Sequence, residues 1–199
     1  MCAVALLLSG CGRPAAAFDS YVLSLSWSPQ YCASAGRGSP ECDASRTHGF
    51  VLHGLWPEAD DNVTSQQCLG PTFDRSLVTG ELREAMPDDR LIEHEWATHG
   101  TCTGMTQTSY FRAALRAYRT VKIPAAFQPP AARMETTPAD VRREFTEANP
   151  GFPAEAFALK DEGRFLGEVR VCLTTDLKPR PCARAGDTRD VTIVVRAAR

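Results

Sequence analysis

The stretch Tyr21-Val22-Leu23-Ser24-Leu25-Ser26-Trp27 sets Tyr21, Leu23, Leu25 and Trp27 in alternation with Val22, Ser24 and Ser26. That period of two is the pattern of a strand with one face turned to a core. Downstream, Phe50-Val51-Leu52-His53 reads as a second short strand that ends at Gly54 and is closed by Pro57. At the far end, 165–174 carries Leu166, Val169, Val171 and Leu173, and 191–195 is β-branched. Between these ends the pattern turns helical. A helix is predicted over 74–86, weakened by Gly80. A firmer one covers 88–98, with Asp88 and Asp89 in its first turn and Gly100 as its stop. Tyr110, Phe111, Leu115 and Tyr118 predict a helix over 108–121, and Thr137-Pro138 supplies an N-cap and first-turn proline for another that ends near Asn149-Pro150-Gly151. Segments 29–43, 60–71 and 123–133 read as connections. Helices in the middle and strands at both ends imply an α+β fold, a central, largely antiparallel sheet with several helices packed on it.

The chain has 199 residues, 43% apolar and 23% charged, with a formal charge of −2. One domain over 18–199 accounts for this length. The charge excludes a protein held on a polyanion by its overall field, so a polyanionic partner must be gripped by local contacts. Residues 1–17 read as an export leader, an apolar run over 3–8 followed by Ala15-Ala16-Ala17 before Phe18. Leu8-Ser9-Gly10-Cys11 offers a competing cleavage that would leave a lipid anchor on Cys11. Neither reading needs a transmembrane segment, and the apolar run is too short to be one. Either places the rest of the chain outside the cytoplasm, secreted or periplasmic.

Cleavage of the leader leaves Cys32, Cys42, Cys68, Cys102, Cys172 and Cys182. An even set behind an export signal argues for disulfides. Six cysteines allow about fifteen pairings, so composition alone does not choose. Locality favours Cys32–Cys42 and Cys172–Cys182, which leaves Cys68–Cys102. No CxxC spacing occurs, which argues against a zinc site built on these cysteines.

Three of the four histidines fall in two aromatic-flanked blocks, Phe50-Val51-Leu52-His53-Gly54-Leu55-Trp56-Pro57 and His94-Glu95-Trp96-Ala97-Thr98-His99-Gly100-Thr101-Cys102. Imidazole is the side chain suited to acid–base chemistry near neutrality. A zinc hydrolase is the first alternative to weigh, because H-E-x-x-H places two histidines four apart on one helical face. Here they are five apart, which turns His94 and His99 about 140° from each other on an ideal helix. Glu95 and His99 are the pair that shares a face. A carboxylate there favours imidazolium, and a mildly acidic pH optimum is the expectation. His53 falls at a strand end, on the side of Val51 and Leu55 by strict alternation. Gly54 permits close approach of a neighbour. Trp56 and Pro57 form an apolar platform for a planar group, and Glu58 is either a site acceptor or a solvated charge. Two imidazoles on opposite sides of a phosphodiester serve as base and acid in one displacement, and in RNA the 2′-hydroxyl is the nucleophile, so no protein nucleophile or metal is needed.

The two blocks together resemble the ribonuclease T2 family, with weaker similarity in Ser26-Trp27 and in Gly167-Glu168-Val169-Arg170-Val171-Cys172. The resemblance implies a disulfide-stapled catalytic domain that cleaves single-stranded RNA, not DNA, to 2′,3′-cyclic phosphates. It implies no cofactor or metal and a monomer. His53 is then expected to protonate the leaving 5′-oxygen, His99 to take the 2′-hydroxyl proton, Glu95 to set charge, and His94 to hold the phosphate. Trp56 is expected to stack on a base and Glu58 to contact one. The pairs Cys68–Cys102 and Cys172–Cys182 match the family's widespread disulfides. One departure stands out: the family commonly has Lys where this chain has Thr98. A missing cation at the reacting phosphate costs rate, so the alternative is a catalytically weakened exported RNA-binding protein of the same fold.

Overall fold

A computed structural model describes residues 18–59, 66–183 and 191–198. Residues 1–17, the segment expected to be a leader and containing Cys11, lie outside the described residues. The elements run β1 (Ser20–Trp27), α1 (Ser28–Ser34), β2 (Phe50–Glu58), α2 (Gly80–Ala85), α3 (Asp89–Thr98), α4 (Gln107–Thr120), β3 (Met134–Thr136), α5 (Pro138–Ala148), β4 (Phe157–Glu162), β5 (Phe165–Thr174) and β6 (Ile193–Val195). The strands form one sheet in the order β2-β1-β5-β6-β3, with β4 also paired to β5. All pairings are antiparallel except β5–β6. The α+β reading with a largely antiparallel sheet holds.

One face of the sheet is the core. Tyr21, Leu23, Leu25 and Trp27 stand beside Phe50, Leu52, Leu55, Val169, Val171 and Leu173, all buried. Ile92 and Trp96 of α3, Tyr110, Phe111 and Leu115 of α4, and Val141 and Phe145 of α5 cover that face. The Tyr110 and Tyr118 hydroxyls donate to Leu55 O (3.0 Å) and Phe50 O (3.2 Å), tying α4 to β2. The other face carries Ser24 and Ser26, Trp56, Glu168, Arg170 and Lys160, and the site is built there.

Three readings change. The helix over 74–86 is two pieces, a 3-10 turn at Arg75–Leu77 and then α2, because the Thr79 hydroxyl accepts from Leu82 N and restarts the chain as a helix at Gly80. The connection over 29–43 holds α1, with Pro29 in its first turn. β2 does not end at Gly54 but continues through Pro57 to Glu58. It is an edge strand, where a proline's missing N–H breaks no ladder. The three disulfides pair as locality favoured, Cys32–Cys42, Cys68–Cys102 and Cys172–Cys182. No described helix is long and apolar enough to cross a membrane.

Candidate active site

His53 owes its direction to an irregularity in β2. Ser24 pairs with Gly54 and Leu25 with Leu52, so two positions on β1 face three on β2 and His53 is the extra residue. A bulge of this kind re-aims the chain. Leu52 and Leu55 both reach the core, and His53 turns to the opposite face. This corrects the strict alternation, which had put His53 on the side of Leu55. The ring meets β1 and β5 there, with Nδ1 2.9 Å from Ser26 Oγ and 3.3 Å from Glu168 Oε1.

α3 brings the second block to the same place. Asp88 caps the helix by accepting from Arg90 N, and His99 is its C-cap, its N–H bonded to Glu95 O. Glu95 is 1% exposed. Its Oε2 accepts from the Trp56 indole N–H at 2.8 Å, and its Oε1 lies 3.6 Å from His53 Nε2. Gly54 makes the approach feasible, since a Cβ there would overlap the Glu95 carboxylate and crowd Trp56 Nε1 at 2.7 Å. The close neighbour expected at Gly54 is therefore a carboxylate of the same chain.

Trp56 is the centre of the arrangement. Its ring centroid is 5.3 Å from that of His53, edge to face, and 5.3 Å from that of His99, tilted by 34°. The guanidinium of Arg170 sits 4.9 Å over the same indole, a cation–π contact. Val22 and the Cys172–Cys182 bridge pack against the ring. At 9% exposure, with the Arg170 guanidinium over its ring, Trp56 is largely covered and touches both imidazoles. The structure thus brings His53, Trp56, Glu95 and His99 together. Glu58 lines a recess of about 230 Å³ with Lys160, Arg170 and Cys172. His94 is exposed, its ring nitrogens 3.4 Å from the Thr98 hydroxyl.

Two carboxylates in this site are pushed in opposite directions. Burial raises the Glu95 pKa to about 7, against the lowering influence of His53 and the Trp56 N–H. Burial also works to raise that of Glu168, but the His53 hydrogen bond and the charges of Arg170, His53 and Lys160 outweigh it and bring it to about 2. For His53 burial favours the neutral ring, yet the Glu168 hydrogen bond and the charges of Glu95 and Glu168 prevail and its pKa is raised. Environments that separate two carboxylates in this way are how one site holds both a titrating and a permanently ionised group. Sequence reading passed over Glu168, Arg170 and Lys160 as site groups. The signal was present, because Glu168 and Arg170 alternate with buried valines on a strand next to β1.

Comparison with known proteins identifies the family. A sequence model described as the Ribonuclease T2 family matches residues 18–182. A ribonuclease of Aeromonas hydrophila is 34% identical over 161 residues, covering 80% of this chain and 73% of its own. Two solved structures share the fold. A mutant of RNase MC1 in complex with 5′-UMP has a TM-score of 0.71 at 22% identity, over 89% of this chain and 98% of its own. Trichomaglin, described as an S-like ribonuclease, has 0.73 at 24%, over 92% and 98%. The chain belongs to the ribonuclease T2 family of endoribonucleases.

Proposed function

We propose that the protein is an exported endoribonuclease that cleaves single-stranded RNA by transesterification, without a metal or cofactor. The substrate's 2′-oxygen attacks phosphorus, the bond to the 5′-oxygen breaks, and a 2′,3′-cyclic phosphate remains. His99 takes the 2′-hydroxyl proton, and His53 delivers one to the departing 5′-oxygen. The observation that carries this reading is the pair of imidazoles that both contact the indole of Trp56, whose N–H is held by the buried Glu95. Acid and base need to stand on either side of one phosphodiester, and the contact of both imidazoles with one indole, from a strand and from a helix end, supports that arrangement.

Electrostatics fit the same chemistry. Below neutrality Glu95 is largely protonated. A neutral carboxyl can donate to a non-bridging phosphoryl oxygen, where negative charge grows in the transition state. His53 is held toward imidazolium, the form a general acid needs. Both effects favour a mildly acidic optimum. Arg170 and Lys160 supply positive charge beside the site from β5 and β4, and exposed His94 is the residue assigned to hold the phosphate. Three disulfides suit an oxidising compartment outside the cytoplasm. Thr98 favours the second reading, a weakened RNA binder.

A chimeric oligonucleotide separates the two readings. An all-ribose strand is cut, and a single 2′-deoxy substitution abolishes cleavage at that step only. Cleavage indifferent to the missing hydroxyl overturns the transesterification. Binding of the ribose strand without cleavage from pH 4 to 8 selects the binder.

A further inference from the structure

The reaction as assigned leaves the buried carboxylate of Glu168 without a task. Glu168 is 7% exposed and stands directly opposite Ser26 in the β1–β5 register. Both side chains reach the same atom, Nδ1 of His53. The other oxygen of Glu168 accepts from Arg170 Nε at 2.9 Å and lies 2.8 Å from Arg170 Nη2. Lys160 Nζ is 3.9 Å from Glu168 Oε1. A carboxylate gripped by a guanidinium and an ammonium is both fixed in place and kept ionised. It contacts the reacting groups through the imidazole, and its charge also reaches Glu95.

We propose that Glu168 is the positioning residue of His53: by accepting from Nδ1 it fixes the ring plane and leaves Nε2 as the nitrogen that faces Glu95 and the departing oxygen. Ser26 shares the same nitrogen and narrows the ring's freedom further. Arg170 and Lys160 act one step behind, by holding the carboxylate. The second nitrogen of an imidazole sets which proton the first one carries, and an orienting carboxylate stabilises the imidazolium. The inference rests on the reading of His53 as general acid.

The charged groups around His53 are Glu95 from α3, Glu168 and Arg170 from β5, Lys160 from β4 behind Glu168, and Glu41 from the turn after α1, whose charge couples to the ring. Glu168→Gln preserves shape and leaves the rest in place. The test compares wild type, Glu168→Gln and Glu168→Asp in two ways. One is the pH dependence of kcat and KM on a fluorogenic oligoribonucleotide. The other is the NMR titration of the His53 ring. Thermal melting first confirms that each variant is folded.

Glu168→Gln is expected to lower kcat on the order of 10- to 100-fold, less than the full contribution of a general acid. KM stays within about threefold. The His53 titration and the alkaline limb of the rate profile move together to lower pH, and Glu168→Asp recovers part of both. A folded Glu168→Gln with an unmoved titration overturns the proposal, whatever its activity. So does a loss carried entirely by KM. Should wild type itself leave RNA uncut, the general-acid reading fails, while the titration still decides whether Glu168 holds the ring.

Discussion

Replacing Glu95 by glutamine is expected to make this protein more stable above neutrality and less active at once. The carboxyl is 1% exposed, and burial lifts its pKa from 4.5 to about 7. A carboxylate whose folded value exceeds its unfolded one contributes stability that is fully present below pH 4.5 and is lost as pH rises through 7. A shift of that size corresponds to on the order of 3 kcal/mol at about 1.36 kcal/mol per unit. Glutamine keeps a carbonyl to accept from Trp56 Nε1 and has no charge to bury. Urea unfolding of both proteins at pH 4.5, 6 and 8 reads the difference directly. The two should be nearly equal at pH 4.5, with the variant ahead by on the order of 3 kcal/mol at pH 8. Cleavage should fall on the order of 10²-fold, the scale of one lost transition-state contact. A stability difference that does not change with pH, or a variant that is less stable at pH 8, refutes the reasoning. Glu95 would then not be carrying a buried charge.

Three further outcomes follow from the same geometry. Gly54→Ala drives a methyl group into the Glu95 carboxylate; it should cost about 1–3 kcal/mol of stability, and loss of the Trp56–Glu95 hydrogen bond should appear as faster exchange of the indole proton by NMR. Replacing Cys68 and Cys102 together by serine opens a link spanning 34 residues that includes most of the second histidine block; chemical denaturation should show a loss of about 3–4 kcal/mol. Thr98→Lys adds a cation at the end of α3 and is expected to raise kcat in steady-state assays by about tenfold, the scale of one modest charge-assisted contact; an unchanged or lower kcat would assign that role to Arg170 over Trp56.

The main strands were legible because their alternation is clean. Tyr21 to Trp27 and Val169 to Leu173 each place their large apolar residues on one face, and both lie in long antiparallel strands. Caps were legible for the same local reason, as at Thr137 before α5. β4 escaped, although Asp161-Glu162-Gly163-Arg164 is a turn signal and Gly163 adopts a left-handed conformation between β4 and β5. α1 escaped because Pro29 read as a break, where it is a first-turn residue.

For the site, the two histidine blocks named the central residues, but not how they meet. The aim of His53 depends on the bulge, which arises from pairing with β1 and leaves no trace in a period of two. Glu95 shares a helical face with His99, yet its carboxylate reaches across to His53 and Trp56, because Gly54 leaves room for it on another strand. Glu168 and Arg170 alternate with the core valines of β5. Only the sheet order, with β5 beside β1, makes them neighbours of an imidazole.

The account turns on one pair of rings acting on one phosphodiester. The direct measurement is cleavage of a short oligoribonucleotide by the purified protein in excess EDTA, with product termini read by mass spectrometry. The same reaction is run with His53→Ala and His99→Ala. The account predicts 2′,3′-cyclic phosphate ends from wild type, and each variant slower by about 10²- to 10⁴-fold. Cleavage that requires added metal, products without a cyclic intermediate, or undiminished turnover in either histidine variant would contradict it.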